Sequence, residues 1–129
     1  MEELIQRISA ATGMDAATTT KAVGIILAFL QKEAPAEDVS RMFEAMPGSQ
    51  ELAAAHADDE GGGGLMGAIG GLMGGGGLMA LAGKLSGAGL SMDQMQTLGK
   101  ELFAYGREKA GEDAMGSIVG AVPGLGQFV

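Results

Sequence analysis

The sequence predicts an all-α fold, and three observations support that prediction. In several segments of the 129-residue chain, apolar residues recur three and four positions apart, which is the spacing of one helix face. Glycine and proline separate these segments at the places where helices would end. No segment alternates apolar and polar residues as a half-buried strand does. We therefore expect a helical bundle of about six to seven short helices.

The first helical half, residues 1–57, begins with two predicted helices. The first spans residues 2–11 and ends at Gly13, because glycine tolerates the left-handed backbone of a helix C-cap. Asp15 is placed to cap the second helix, over about residues 16–33, through a side-chain oxygen. This second helix is apolar nearly all round, which predicts a buried position at the centre of the bundle.

Two more helices are predicted in the first half. Pro35 can occupy the first turn of the third helix, whose apolar residues fall at positions i, i+3, i+4 and i+7. These four residues are Val39, Met42, Phe43 and Met46. Pro47-Gly48 ends the third helix, and a short helix from Gln50 to Ala57 is predicted to follow.

The second helical half, residues 78–129, has a similar pattern. Three helices are predicted there, over about residues 78–85, 92–110 and 112–122. Gly87 and Gly89 break the first of them. Ser91, followed by Gln94 three residues later, predicts a capping box at the start of the second.

An internal repeat relates the two halves. Residues 12–52 align with residues 88–128 without a gap, so that the predicted helices and the Pro-Gly stops coincide. Few aligned residues are identical, so the prediction rests on the shared helix lengths and apolar spacing. Each pseudo-repeat, about 1–52 and 77–128, is of a size at which a lone core is marginal. We therefore predict one helical domain, residues 1–129, in which a pseudo-two-fold bundle buries the apolar faces of both halves against each other.

An acidic and glycine-rich connector, residues 58–77, joins the halves. From Gly61 onward it contains only Gly, Leu, Met, Ala and Ile. Two interpretations remain open: a flexible linker, or a packing element in which glycines four residues apart let a second backbone come close. In the second interpretation the connector carries an interaction surface. The predicted residues of that surface are Gly63, Leu65, Met66, Gly67, Ile69, Gly71, Leu72, Met73 and Gly75.

The sequence contains no recognisable active site. It has no cysteine and one histidine, His56, which precedes the acidic run 58–60. This run indicates a solvated helix end rather than a metal site, because a second histidine is missing. Met92 and Met95 are interpreted as a helix-start residue and a core residue rather than as Cu(I) ligands. We predict no catalytic residue, no cofactor and no metal.

The charge of the chain bears on its partners and location. The formal net charge is −8 and the basic residues are scattered, so phosphate backbones and anionic membrane surfaces would be repelled. We expect no nucleic-acid partner and regard a membrane as a weak alternative. The first residues lack the basic start and apolar run of a secretory signal, which predicts a cytoplasmic protein.

Several of these features resemble a known family. They are the glycine-rich centre, Pro47-Gly48 with Leu52, the stretch 87–91 that ends in Ser91, and the later Tyr105 and Gly111. Over about residues 16–122 the chain looks like the VcgC/VcgE-like family of uncharacterised bacterial proteins. The resemblance implies a bacterial helical protein and lends no catalytic residues. It also implies that relatives are exported, since many members carry a secretion signal that this chain lacks.

Taken together, these observations predict a non-enzymatic helical interaction or structural protein. Its partner would be a second copy, in a homo-oligomer, or another helical protein packed against the Gly/Met-rich centre. The glycines that would permit close contact are Gly24, Gly63, Gly67, Gly71 and Gly75. The alternative is a binding module for an apolar small ligand or a membrane surface. An enzyme, the third class, would need carboxylates such as Glu33, Asp58 or Glu101 paired in an apolar pocket.

Overall fold

The computed structural model describes residues 2–55, 78–122 and 126. Seven helices and no strands occur in those residues, which confirms the predicted all-α class. The helices are α1 (Glu2–Thr12), α2 (Ala16–Glu33), α3 (Ala36–Ala45), α4 (Ser49–Ala55), α5 (Leu78–Gly87), α6 (Met92–Ala110) and α7 (Glu112–Ala121). Their bounds agree with the predicted ones to within one or two residues. The predicted end of the fourth helix, Ala57, lies outside the described residues.

The corner between α1 and α2 is built by the two residues that the sequence predicts for it. Gly13 has φ +78°, and its N–H donates to the Ser9 carbonyl over 2.8 Å. The Asp15 carboxylate accepts a hydrogen bond from the Thr18 N–H over 3.1 Å, which satisfies a donor that the helix itself leaves unpaired. The chain bends by 111° between the two helices.

Helix α2 lies at the centre of the bundle, as its composition predicts. It contacts α1, α3, α4 and α5. Every residue from Ala22 to Leu30 is buried, including Gly24. A helix buried on all sides excludes water from its apolar residues, so α2 is the scaffold on which the other helices are placed.

The turn after α3 positions α4 against α2. The predicted apolar face of the third helix, Val39, Met42, Phe43 and Met46, is buried. Gly48 has φ +91°, a backbone conformation that favours glycine. The buried Ser49 hydroxyl donates to the Met46 carbonyl over 2.6 Å and lies 3.5 Å from the Phe43 carbonyl. These contacts satisfy the hydroxyl and fix the start of α4 on α2.

Helix α6 is the long helix of the second half, and the predicted capping box opens it. The Ser91 hydroxyl accepts from the Gln94 N–H over 3.2 Å, and the Gln94 side chain accepts from the Ser91 N–H over 2.9 Å. Further along, Gly106 faces Met115 of α7. A methyl group added at Gly106 would lie 2.6 Å from the Met115 terminal carbon, so the absence of a side chain there makes room for the methionine.

The helices of the two halves correspond in position along the chain. Helices α1, α2 and α3 begin at residues 2, 16 and 36, and α5, α6 and α7 begin at 78, 92 and 112, so each pair differs by 76 positions. Their buried residues join one hydrophobic core. The internal repeat itself remains a prediction, which these helix bounds fit.

Candidate functional site

The predicted interaction surface lies outside the described residues. All nine of its members, from Gly63 to Gly75, fall in the range 56–77, and so do His56 and Asp58. Gly24, which was also predicted to permit close contact, is buried within α2. In this fold Gly24 is therefore enclosed by helices of its own chain and is not accessible to a partner.

An open groove lies between α1, the start of α2 and α4, with a volume of about 680 Å³. Its lining residues are Glu2, Ile5, Gln6, Ala16, Thr20, Gly48, Glu51, Leu52 and Ala55. Most of the accessible lining is apolar, and both carboxylates, Glu2 and Glu51, are exposed to solvent. The groove belongs entirely to the first half, and the sequence analysis did not identify it.

The groove follows from how α1 and α4 are attached to α2. Both helices pack on α2, and each turns one face toward the groove, with Ile5 on α1 and Leu52 on α4. Ala16 and Gly48 carry at most a methyl group where larger side chains would fill space. A signal for this groove exists in the sequence only as small residues at two helix starts, which are common for many other reasons.

Two smaller surface depressions are polar. One, of about 440 Å³, lies along the outer face of α3, and Arg41 and Glu44 contribute to it. The other, of about 400 Å³, lies between Arg41 and the start of α7, where Glu112 and Asp113 occupy the first turn. Carboxylates at a helix N-terminus interact favourably with the helix dipole, so Glu112 and Asp113 stabilise the start of α7.

Among the described residues, Asp15 and Arg7 have shifted pKa values, and both have structural partners. Hydrogen bonds from the Thr18 hydroxyl and then the Thr18 N–H lower the pKa of Asp15, the cap of α2. The hydrogen bond to Glu101 raises the pKa of Arg7 above its ordinary value. Arg7 Nε lies 2.7 Å from a Glu101 oxygen, and a terminal guanidinium nitrogen lies 3.3 Å from a Glu108 oxygen.

The other residues considered for chemistry are separated in the fold. Glu101 pairs with Arg7 on the surface, and Glu33 is exposed at the end of α2. Met95 is buried, whereas Met92 is 58% exposed, so the two sulfur-bearing side chains do not share an environment. Among the described residues, no group of three or more histidines and carboxylates is arranged to hold a metal ion.

Exposed glycines on two helices of the second half form a feature that the sequence analysis missed. Gly83 and Gly87 lie four residues apart on α5, and Gly116 and Gly120 lie four residues apart on α7. All four are exposed, and a methyl group added at any of them would meet no other atom within 4 Å. The four-residue spacing that drew attention to the connector also identifies these two pairs.

None of the described helices is long and apolar enough to cross a bilayer alone, although α1 and α2 together have the length and composition of a membrane span across their 111° bend.

Comparisons with known proteins place no further constraint on the chain. No family model matches it, and it has no significant match among curated proteins or solved structures.

Proposed function

We propose that this chain is a non-enzymatic helical interaction protein that self-associates by close packing of small-residue helix faces. The observation that carries the proposal is the exposed glycine pair on α7, Gly116 and Gly120. The predicted surface in the connector, residues 61–77, would act in the same way, because its glycines share the four-residue spacing.

The lone chain gives up stability at the two exposed glycines of α7. Glycine inside a helix costs roughly 1 kcal/mol relative to alanine. At Gly116 and Gly120 the fold has open space for a methyl group, so packing within the chain does not require glycine. A second helix backbone lying against α7 would favour glycine, because small residues, and glycine most of all, let two backbones approach closely and form Cα–H···O contacts.

The first experiment removes the glycines of α7. We expect Gly116→Ala with Gly120→Ala to stabilise the folded chain by up to about 2 kcal/mol and to weaken self-association. Light scattering on a size-exclusion column gives the oligomeric state, and chemical denaturation gives the free energy of unfolding. The matched control is Ser40→Ala with Glu44→Ala, which changes exposed residues at the corresponding positions of α3. An oligomer that survives the α7 substitutions unchanged would show that this face is not the contact.

The second experiment tests the connector. Residues 61–77 are replaced by a Gly/Ser/Glu linker of equal length, and the variant is compared with the intact chain in detergent-free buffer. A defined oligomer for the intact chain and a folded monomer for the variant would support the connector as an association surface. Identical folded monomers would exclude self-association through it.

A second candidate function, binding of an apolar small ligand, is favoured by the groove between α1, α2 and α4. Its volume of about 680 Å³ falls in the range of small-molecule sites, and its lining is mostly apolar. In this candidate Ile5 and Leu52 would contact the ligand, while Glu2 and Glu51 remain in water at the groove edge.

Filling the groove tests this candidate. We expect Ala16→Trp to abolish binding of a fluorescent apolar probe such as anilinonaphthalene sulfonate, because the indole would occupy the space. The matched control is Met92→Trp, which places the same side chain at the corresponding exposed position of α6. Equal probe fluorescence in the unmodified chain, the variant and the control would exclude the groove as the binding site.

A further inference from the structure

The two halves hold each other through helices that cross between them. Helix α1 contacts α2 of its own half and also α6 of the other half. Helix α5, which begins 76 positions after α1, does the reverse: it contacts α6 of its own half and also α2. The third helix of each half completes the arrangement, since α3 and α7 contact one another. Each half thus supplies its first helix to the other half's long helix.

Specific polar contacts fix the alignment of α1 along α6. Arg7 of α1 forms ion pairs with Glu101 and Glu108 of α6. At the C-terminal end of α1, the Gln94 side-chain amide donates to the Thr12 carbonyl over 3.4 Å. The contacts therefore lie at the middle and at one end of α1, so the helix pair has a defined alignment as well as an apolar interface.

The buried residues of α1 show how far each half relies on the other. Leu4 and Ile8 are fully buried, although α1 is only 11 residues long, and its main contacts among the described helices are with α2 and α6. One of those two helices belongs to the other half. Removing that half would expose apolar surface on α1, and a unit of about 50 residues rarely compensates for such a loss.

We propose that each half is a specific binding partner for the opposite half, including the opposite half of a second copy. The 2–55 part and the 78–122 part then stay assembled when the chain between them is cut, and halves from different copies exchange. Exchange between copies reuses contacts that already exist within one chain, which makes it a low-cost route to association. This inference goes beyond the proposed function, because it uses the interface between the halves and not the exposed glycines.

Concentration decides which pairing dominates. The covalent connection holds the two halves of one chain at a high effective concentration. At dilute protein the halves therefore pair within one chain. When the connection is cut, the same contacts operate between separate molecules, and the strength of the interface becomes measurable.

The experiment uses the full-length chain with a protease cleavage sequence substituted within residues 61–77. After folding and cleavage, we expect both fragments to elute together at the size of the uncut protein and to retain its helical circular dichroism. Cleaved isotope-labelled and unlabelled preparations are then mixed, and native mass spectrometry should detect hybrid pairs. Fragments that separate, lose their helicity on cleavage or never form hybrids would overturn the proposal.

A charge reversal distinguishes specific pairing of the halves from nonspecific apolar association. Arg7→Glu places like charges opposite Glu101 and Glu108, and we expect it to weaken fragment pairing by a few fold, more at low salt than at high salt. Arg7→Glu combined with Glu101→Arg should restore much of the loss. Before cleavage both variants should remain folded because the halves are tethered, so a failure to fold is distinguishable from a failure to pair. Equal pairing by all variants would show that this contact does not align the halves.

Discussion

Helices α3 and α7 occupy corresponding positions in the two halves, yet they present different surfaces. Both are 10 residues long, and both bury a methionine and further apolar residues. The outer face of α3 carries Ser40 and Glu44, whereas the same positions of α7 are Gly116 and Gly120. The two helices therefore share a buried apolar pattern, which packs them into the core, and differ in their outer residues, on which the proposed self-association depends.

The interior differs between the halves as well. Gly106 of α6 corresponds to Leu30 of α2, and Met115 of α7 corresponds to Val39 of α3. In the first half the larger residue of the pair, Leu30, is on the long helix α2. In the second half the larger residue, Met115, is on the short helix α7. Side-chain size is therefore distributed in opposite ways over these pairs of aligned positions, as close packing allows when total volume is kept.

The largest loss of stability is expected from truncating side chains in the shared core. Ile26→Ala and Leu102→Ala truncate buried residues at corresponding positions of α2 and α6. Each should lower the free energy of unfolding by about 2–5 kcal/mol. Because the halves share one core, we expect a single transition for both variants by circular dichroism in urea. Two separate transitions would show that the halves unfold independently and do not share one cooperative core.

A smaller effect is expected from exchanging sizes at the contact between α6 and α7. Gly106→Leu forces a large side chain against Met115 and should destabilise the fold by about 1–3 kcal/mol. Adding Met115→Val should recover part of this loss, because the pair then matches Leu30 and Val39 of the first half. A double-mutant cycle measures the coupling. Strictly additive effects would mean that the two positions do not compensate each other.

The capping box of α6 should contribute less than the core. Ser91→Ala removes the acceptor for the Gln94 N–H and should cost about 1 kcal/mol. Ser91→Asp serves as the control, because aspartate also caps helices and occupies the corresponding position of α2, Asp15. Thermal denaturation measures both variants. If Ser91→Asp were as unstable as Ser91→Ala, the two helix starts would not be interchangeable.

The smallest effect is the pH dependence that arises from Asp15. Its pKa is lowered in the folded chain from the ordinary 3.8, so the unfolded chain binds the proton more readily. The stabilisation is therefore complete above about pH 4 and is lost as the pH falls through the folded pKa. Asp15→Asn keeps a capping oxygen without the titration. The difference in melting temperature between the two proteins should shrink below pH 4, and a difference independent of pH would exclude this role.

Sequence reasoning located the helix ends because their causes are local. Gly13, Asp15 and the Ser91–Gln94 pair act within four residues of themselves, so their roles are visible in the sequence. The central position of α2 could also be predicted from the sequence, because the helix is apolar on every side. For the functional surface, reasoning from spacing favoured residues 61–77, which lie outside the described residues, and passed over Gly116 and Gly120. Their exposure depends on which face of α7 the core takes.

The sequence by itself determined the fold class, the helix bounds and the caps of α2 and α6. Only the tertiary structure decided that α1 lies across α6, that Arg7 meets Glu101 at a separation of 94 positions in the sequence, and that a groove opens beside α4. The physical reason is the distance along the chain over which each feature is determined. A cap or an apolar stripe is set by neighbours within one or two helical turns. The choice of packing partner depends on how all the apolar faces are buried at once, and no single segment carries that information.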